Sequence, residues 1–402
     1  MNTLNGLDRE SIEKALESDY LAPHVRRVLE LRLDGGQAAV KKLDALLTRA
    51  GADDRVRGSF RYHGAATGRW SGEGPQPQNM KRPEVADIEA AIAAVATGDY
   101  AHMKSLYPRP LAVVGDCTRS TITAPEGYDL LGGDLSSIEG RITAWVAGEV
   151  WKVNAYRKYD ETGDPRDEPY CVTACRIFRK PESSFDKKSP ERKVGKTCEL
   201  AFGYQGGLRA WRNFEPDQFS DAEVETFKNE WRAAHPNIVR FWNAIDAAAV
   251  SAVAARGNRV RCGWVYLVCE DGYLKIILPS GRAIHYPLPY LTQDAYGRSR
   301  VVFSDNANGQ FVECRGGAGA YGGLWTENIV QGIARDILAE ALIRIDAAGY
   351  AITMHVHDEI VCEVPIGQGN VEKFVELLTR NPCWAPDLPI AAEGWIGPRY
   401  RK

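Results

Sequence analysis

Residues 128–149 read Tyr-Asp-Leu-Leu-Gly-Gly-Asp-Leu-Ser-Ser-Ile-Glu-Gly-Arg-Ile-Thr-Ala-Trp-Val-Ala-Gly-Glu, and this stretch decides the fold. An apolar run from Tyr128 to Leu131 ends at two glycines, which predicts a short buried strand. Apolar side chains then recur at helical spacing, at Ile138, Ile142, Trp145 and Val146. The pattern predicts a strand that delivers Asp134 to the start of a helix, where its carboxylate is placed to bind a metal ion.

The same residues support a second interpretation of Asp134. In it, Asp134 only caps the helix, and Ser136-x-x-Glu139 forms a capping box at its first turn. The stretch alone does not choose between the two.

Composition limits the class of protein. The 402 residues are 44% apolar and 26% charged, which is enough for a sizeable core in two or three domains. No apolar run reaches the roughly 18 residues of a membrane span, so we expect a cytoplasmic protein without a membrane partner.

Nine cysteines without a Cys-x-x-Cys pair argue against disulfides and structural zinc, and Cys171 and Cys175 are interpreted as core residues. With a net charge of −3, any nucleic-acid surface must be a local basic patch.

The segment from Gly58 to Pro83 is rich in glycine and proline and poor in periodicity. It carries side chains that bind phosphates and base edges: Arg69, Gln78, Asn79, Lys81 and Arg82. Such a loop either contacts nucleic acid or is a solvated turn, and both interpretations stay open.

A basic helix is predicted to begin at Ser189-Pro190-Glu191, with serine as N-cap and proline in the first turn. Four side chains then recur every fourth residue and form one stripe: Arg192, Lys196, Leu200 and Tyr204. The two cations repel each other in an isolated helix by a few tenths of a kcal/mol. The stripe is either an exposed basic face that tolerates this cost or a binding surface for a triphosphate. A bound triphosphate would bridge the two cations and turn their repulsion into attraction.

The C-terminal part contains an acidic turn. A long helix is predicted from about Thr326 to Ala348, carrying Gln331. Two alternating runs then flank Asp358-Glu359, which predicts a β-hairpin with both acids at its tip. Acidic turns are common on surfaces, so the hairpin alone indicates little.

Taken together, the motifs form an ordered set. It comprises Thr67-Gly-Arg69-Trp-Ser71 with Gln78-Asn79, Asp134 to Arg141, Arg192-x3-Lys196-x7-Tyr204, Gln331, and Val356-His357-Asp358-Glu359. In this order and spacing the set resembles the polymerase module of family A DNA polymerases, the DNA polymerase I superfamily, and specifically its bacteriophage-type branch. The resemblance covers residues from about 20 to the C-terminus.

The resemblance implies an α+β right-hand polymerase fold with an antiparallel palm sheet, mostly helical fingers and a truncated helical thumb. The expected divisions are a partial thumb at 1–57, a first part of the palm at 58–149 with an inserted helical segment near 85–105, fingers at 150–330, and a second part of the palm at 331–402. A 3′–5′ exonuclease domain is not expected in this chain.

The implied reaction is template-directed extension of a primer by deoxynucleotides, with release of pyrophosphate. Its cofactors would be two Mg²⁺ ions, for which Mn²⁺ could substitute, and the expected metal ligands are Asp134, Asp358 and the Leu135 carbonyl oxygen. Lys196 is expected to act as general acid toward pyrophosphate, and Glu359 as an auxiliary residue.

The resemblance also implies contacts with substrates. The expected nucleotide-binding residues are Arg192, Lys196, Tyr204, Glu139, Ser137 and Tyr170, with Glu139 as a steric gate against the 2′-hydroxyl. The expected contacts with primer–template DNA are Arg69, Gln78, Asn79, Gln331 and His357, mainly through the backbone and the minor groove.

Three positions depart from the family pattern. Ser137 stands where bacterial relatives carry glutamine, Tyr170 where a histidine is usual, and Leu200 where an aromatic side chain is usual. The last departure leaves discrimination against dideoxynucleotides open.

The implied partners are primer–template DNA and dNTPs in a bacterial cytoplasm or a phage-infected host. An exonuclease or processivity subunit acting in trans stays open. Three alternatives also remain at this stage: a single-subunit RNA polymerase, a non-catalytic DNA-binding remnant, and a metallohydrolase suggested by His355-x-His357-Asp358.

Overall fold

The computed structural model describes residues 9–18, 20–35, 38–216, 218–307 and 310–400. The outer ends of the expected first and last divisions, at residues 1 and 402, therefore lie outside the described residues. Within the described parts the chain forms fifteen α-helices and fourteen strands.

The helices are α1 (Arg9–Leu16), α2 (Pro23–Gly35), α3 (Ala38–Arg49), α4 (Ile88–Ala96), α5 (Tyr100–Leu106), α6 (Pro110–Cys117), α7 (Ile138–Ala147), α8 (Val150–Thr162), α9 (Pro169–Ile177), α10 (Pro190–Phe202), α11 (Leu208–Arg212), α12 (Asp221–Ala234), α13 (Pro236–Ala254), α14 (Gly322–Ala347) and α15 (Val371–Thr379). The strands are β1 (Phe60–Arg61), β2 (Ser71–Gly72), β3 (Tyr128–Leu135), β4 (Val260–Cys262), β5 (Val265–Glu270), β6 (Tyr273–Ile277), β7 (Ala283–Pro287), β8 (Tyr290–Gln293), β9 (Ser299–Val302), β10 (Ser304–Ala307), β11 (Gln310–Glu313), β12 (Ala351–Val356), β13 (Glu359–Pro365) and β14 (Ala392–Gly397).

A four-stranded antiparallel sheet with the order β12-β13-β3-β14 forms the centre of the molecule. Strand β3 is an inner strand, hydrogen-bonded to β13 on one side and β14 on the other. The expected α+β class with an antiparallel sheet is confirmed.

Strand β3 does not end at its two glycines, as the sequence suggested, but continues to Leu135. The glycines are needed for packing on the two faces of the sheet. A Cβ at Gly132 would lie 2.4 Å from the Trp395 ring, and one at Gly133 would lie 2.9 Å from Leu378 of α15. Small residues therefore let β14 and α15 approach the strand closely.

The capping-box interpretation is wrong. Helix α7 has Ser137, not Ser136, as its N-cap, and Ser137 makes no capping hydrogen bond through its side chain. The turn is instead held by the buried Arg141, whose Nε donates to the Ser136 carbonyl oxygen at 2.7 Å and whose guanidinium pairs with Asp160. The Glu139 carboxylate is consequently available for contacts with other elements.

Helices α8 to α13 form one helical group, in which the other helices surround α10. Their core is aromatic, with Trp231 stacked on Trp242 at 5.9 Å and Phe202 stacked on Trp211 at 5.7 Å. The basic helix predicted from Ser189 is confirmed as α10. Helices α13 and α14 pack on each other and on α7, and β4 and β5 of the second sheet pack on α13.

The helical segment expected near 85–105 is present as α4 and α5, which with α6 enclose a small separate core. Cys171 and Cys175 are fully buried and unpaired, as core residues should be. Among the described residues, no helix combines the length and the apolar character needed to cross a membrane.

Replacing Gly132 by alanine tests the packing of the central strand. The added Cβ would clash with the Trp395 ring, so Gly132→Ala should lower the free energy of unfolding by roughly 1–3 kcal/mol, a usual cost of overpacking. Urea denaturation measures the change. Gly397→Ala in β14 is the matched control, because a Cβ there meets nothing within 4 Å. Equal stability of the two variants would contradict the close packing.

Candidate active site

Two aspartates from distant parts of the chain meet at one end of the central sheet. Asp134 lies near the end of β3, and Asp358 lies in the turn between β12 and β13. The register pairs Glu359 with Asp134, and the Leu135 N–H donates to the Asp358 carbonyl oxygen at 3.1 Å. His357 completes the turn with a φ of 55°. The predicted hairpin is therefore present, and its backbone holds Asp358 beside Asp134. Only Asp358 lies in the turn, however, because Glu359 is already the first residue of β13 and pairs with Asp134.

The two carboxyl groups disturb each other. Burial raises the pKa of Asp358, and Asp134, which also hydrogen-bonds to it, raises it further, to about 7. Near neutral pH the pair therefore tends to share a proton, because two adjacent carboxylates cannot both ionise cheaply. A divalent cation would relieve the same repulsion, so the donor set fits such an ion.

Two carboxylates do not complete a coordination shell. No group of three or more His, Cys, Asp or Glu side chains with metal-binding geometry occurs in the described part of the chain. An ion here would need backbone carbonyl, water or substrate oxygens as well. Glu359, beside Asp134 across the sheet, is held by other partners: it accepts from Trp395 Nε1 at 2.8 Å and from Tyr400 Oη at 2.6 Å.

Glu139 joins three parts of the structure. One carboxylate oxygen lies 2.8 Å from Arg69 of the 58–83 segment, and the other accepts from Tyr204 Oη, also at 2.8 Å. Burial and the Glu139 charge hold the pKa of Tyr204 above its ordinary value, so its hydroxyl remains a donor. Glu139 thus connects the start of α7 to the loop and to the residues following α10.

Arg192, predicted to bind phosphate, has a protein partner. Its guanidinium contacts the buried Glu168 carboxylate through two nitrogens, with Nη2 at 2.5 Å from Oε1. The guanidinium also lies 5.6 Å from the centre of the Tyr170 ring, and Tyr170 hydrogen-bonds to the Ser137 side chain. Lys196, one turn further along α10, is exposed.

Of the residues expected to touch DNA, Arg69 and His357 line the same cavity as Asp358. His357 Nε2 donates to the Gln78 carbonyl oxygen at 3.1 Å, which joins the hairpin tip to the 58–83 segment. Asn79 is exposed and donates to Gln76 Oε1 at 2.9 Å.

Helix α14 supports the same loop. Arg335 donates to the Gly68 carbonyl oxygen at 3.1 Å, next to Arg69, and Gln331 donates to Glu327 at 3.2 Å. Burial and nearby Glu139 raise the pKa of Glu327. The role of Arg335 in holding this loop was missed by sequence reasoning, because its partners lie far away in the chain.

A cavity of about 480 Å³ connects most of these groups. Its lining includes Arg69, Ser137, Glu139, Tyr170, Leu200, Tyr204, His357 and Asp358. Its wall also includes Lys152, Glu199 and Trp231, which no sequence motif had indicated. The cavity thus extends from the carboxylate pair to the interior behind α10.

Comparison with known proteins gives the class. No family model matches the chain. Over its whole length, however, the fold is similar to the POL domain of Pol1 from M. smegmatis, solved in complex with DNA primer-template and dNTP, with a TM-score of 0.60 at 19% identity and 57% coverage of that chain. The fold is that of a DNA polymerase domain.

Sequence relatives agree. The DNA polymerase of Bacillus phage SP02 is 34% identical over 406 aligned positions, which include 100% of this chain and 61% of the phage protein. DNA polymerase I of Deinococcus radiodurans is 24% identical over 336 positions, 80% of this chain and 29% of that enzyme. The chain therefore spans about three fifths of the phage relative and less of the bacterial one. The chain is therefore similar, over its whole length, to part of these DNA polymerases.

The carboxylate pair predicts an unusual pH dependence of stability. Folding raises the pKa of the Asp358 carboxyl from 3.8 to about 7. The protonated carboxyl therefore stabilises the folded protein fully when the pH is below the pKa of the unfolded chain, and this contribution is lost as the pH rises through about 7. In EDTA, wild type should therefore lose stability relative to Asp358→Asn between pH 4 and 7.

Urea denaturation at several pH values, with added Mg²⁺ in a second series, measures this effect. At pH 7.5 Mg²⁺ should stabilise wild type more than Asp358→Asn, and Asp129→Asn, on the same strand as Asp134, serves as control. Parallel stability curves for wild type and Asp358→Asn would contradict the repulsion between the two carboxyl groups.

Proposed function

We propose that this chain is a template-directed DNA polymerase that adds deoxynucleotides to a primer 3′-hydroxyl. The observation that carries the proposal is the meeting of Asp134 with Asp358, which lines a cavity that α10 also borders. The phage relative is named a DNA polymerase, and the Pol1 domain was solved with a primer-template and a dNTP, which supports the same substrates here. A soluble protein of the bacterial or phage-infected cytoplasm fits this function.

We propose that Asp134, Asp358 and the Leu135 carbonyl oxygen hold two Mg²⁺ ions, for which Mn²⁺ can substitute. When bound, such ions stabilise negative charge on the attacking and leaving oxygens of an in-line phosphoryl transfer. The two aspartates themselves orient the reacting groups at the rigid end of the sheet, where backbone hydrogen bonds fix their separation.

The basic face of α10 is proposed to hold the triphosphate. The primer 3′-hydroxyl loses its proton to solvent water as its oxygen forms a bond to the α-phosphorus. The bond between the α-phosphorus and the oxygen that bridges it to the β-phosphate breaks, and pyrophosphate leaves. Arg192 and Lys196 neutralise the phosphates, and Lys196 donates a proton to the leaving pyrophosphate. Arg192 must give up or share its contact with Glu168 to do so, because both ligands are anions.

The remaining nucleotide contacts are proposed around the sugar. Tyr204, Ser137, Tyr170 and Glu139 all border the cavity, and Glu139 is proposed to exclude a 2′-hydroxyl. Their mutual hydrogen bonds support this assignment, since they fix the orientation of the Glu139 carboxylate.

The primer–template is proposed to contact Arg69, Gln78, Asn79, Gln331 and His357. All five lie on the 58–83 segment, the hairpin tip or α14, and hydrogen bonds join that segment to the other two elements, which supports the proposal. Backbone and minor-groove contacts of this kind detect a correct base pair without reading sequence.

We also propose the domain divisions at 1–57, 58–149, 150–330 and 331–402 as partial thumb, palm, fingers and palm. Supporting this, the central sheet draws its strands from the second and fourth segments, whereas the helices around α10 belong to the third. The last boundary falls inside the continuous helix α14, which therefore belongs to both sides.

Removal of either aspartate tests the catalytic proposal. Asp134→Ala and Asp358→Ala should each abolish primer extension, because half of the metal-binding pair is lost, while primer–template affinity stays within about twofold. Gel-based primer extension with Mg²⁺ or Mn²⁺ and fluorescence anisotropy with labelled DNA measure the two effects. Asp129→Ala, on the same strand, is the matched control. Retention of a tenth of wild-type activity would exclude the assignment.

Glu139→Ala tests the proposed sugar contact and separates a DNA polymerase from an RNA polymerase. Removing the carboxylate should raise incorporation of ribonucleotides relative to deoxynucleotides by roughly tenfold or more, since about 1.4 kcal/mol of discrimination equals a factor of ten. Competing incorporation of rNTP and dNTP opposite one template base measures the ratio. Glu376→Ala, on the exposed side of α15, should leave it unchanged. An equal preference for rNTPs in wild type would point to RNA synthesis instead.

A further inference from the structure

A buried group of polar side chains lies behind the basic face of α10. We call Lys152, Thr173, Glu199 and His235 the Glu199 cluster. The Glu199 carboxylate accepts from Thr173 Oγ1 at 2.7 Å, lies 3.2 Å from His235 Nε2, and forms a close ion pair with Lys152. The Lys152 side chain is 2% exposed, that of Glu199 10%, and that of His235 0%.

The cluster joins four elements at one side chain. Lys152 belongs to α8, Thr173 to α9 and Glu199 to α10, while His235 separates α12 from α13. Any rotation or translation of α10 relative to the other helices therefore changes at least one contact of Glu199.

His235 is itself rigidly held. Its Nδ1–H donates to the Trp231 carbonyl oxygen at 2.7 Å, and its ring stacks on Trp231 at 4.1 Å. In the neutral ring this leaves Nε2 to accept from Lys152 Nζ, 3.5 Å away, so Nε2 does not also donate to the Glu199 carboxylate. Lys152 thus contacts both the carboxylate and the imidazole.

The charges in the cluster balance. Burial opposes ionisation of Glu199, but the neighbouring Lys152 ammonium outweighs it and keeps the pKa of Glu199 below its ordinary value. Burial and Lys152 lower the pKa of His235, so the ring is neutral near pH 7. One anion and one cation remain, and removal of either leaves a buried charge without its counterion.

The cluster is close to the proposed reaction site but does not form it. Glu199 follows Lys196 by three residues on α10, about 4.5 Å along the helix axis. Glu199 and Lys152 line the same cavity as Glu139, Tyr204 and Asp358. The cluster therefore forms part of the wall of the cavity that Asp358 also lines.

We infer that Glu199 is a positioning residue for nucleotide addition. Through its contacts with Lys152 and Thr173 it sets the orientation of α10, and with it the positions of the Arg192 and Lys196 side chains that we propose bind the triphosphate. This inference rests on the proposed polymerase function and deepens it, because it assigns the geometry of the phosphate-binding helix to a buried ion pair. Glu199 does not touch the substrate.

The test uses Glu199→Gln, which keeps the shape of the side chain and removes its charge. Lys152 is then left without a counterion, and α10 shifts to relieve it. The KM for dNTP should rise roughly tenfold or more, which corresponds to about 1.4 kcal/mol of lost phosphate binding when Arg192 and Lys196 are displaced. The value of kcat should change less than KM, and the dissociation constant for primer–template should stay within about twofold, because the DNA-contacting loop is not part of the cluster.

Two further variants keep the test decisive. Thr173→Val removes one hydrogen bond without uncovering a charge, folds more readily than Glu199→Gln, and should raise KM by a smaller factor of about three. Glu225→Gln breaks the exposed Lys228–Glu225 ion pair on α12 and should leave KM unchanged.

Steady-state primer extension with varied dNTP, together with anisotropy on labelled DNA and circular dichroism, provides the readouts. If folded Glu199→Gln and Thr173→Val both keep the wild-type KM while wild type extends primers, Glu199 serves only stability and the inference is overturned. If wild type itself extends no primer, the proposed function fails, and the inference with it. A higher KM in Glu225→Gln would show that loss of any ion pair in this region has the same effect, which also overturns it.

Discussion

The fold holds two carboxyl groups of the same charge close together, and the rest of the structure depends on this arrangement. Asp134 and Asp358 repel each other, and burial adds to the cost, as the pKa of about 7 for Asp358 indicates. They remain together because an inner strand and a hairpin turn are joined by backbone hydrogen bonds, one of them from Leu135 to Asp358 itself. The close packing of Trp395 and Leu378 on the two glycines of β3 limits movement of that strand. A less constrained sheet would separate the two groups.

Charged side chains elsewhere in the site follow the opposite rule, because each is already paired within the protein. Arg192 contacts Glu168, Arg69 contacts Glu139, and the buried Lys152 contacts Glu199. If α10 binds a triphosphate as proposed, Arg192 exchanges one anionic partner for another and is not extracted from water as an isolated charge. Such an exchange carries a smaller desolvation penalty and holds the guanidinium in place beforehand.

Local patterns in the sequence predicted the elements well, and distant contacts poorly. The period-four stripe identified α10, and the alternating runs identified the hairpin that carries Asp358, because each signal lies within one element. The prediction ended the strand too early, at Gly132, because glycine usually weakens a strand. The Trp395 ring, whose close packing requires a glycine at this position, comes from far along the chain. The capping box failed because Glu139 has Arg69 and Tyr204 as partners. Glu168 and Glu199 carried no motif, and the role proposed for Glu199 follows only from packing. The domain divisions and the functions of individual site residues remain predictions.

A continuous series of contacts runs from α14 through the loop and Glu139 to α10, and it determines the orientation of the Glu139 carboxylate. Arg335 of α14 holds the Gly68 carbonyl oxygen, the next residue is Arg69, and Arg69 and Tyr204 each bind a different oxygen of Glu139. Tyr204 follows the end of α10, whose orientation depends on the contacts of Glu199. A rotation of α10 that withdraws Tyr204 therefore frees one oxygen of Glu139 while Arg69 keeps the other. The direction of the Glu139 carboxylate is then decided by two elements at once, α14 through the loop and α10 through the tyrosine. A side chain constrained in this way responds to the position of the basic helix without any change in the sheet that carries the aspartates.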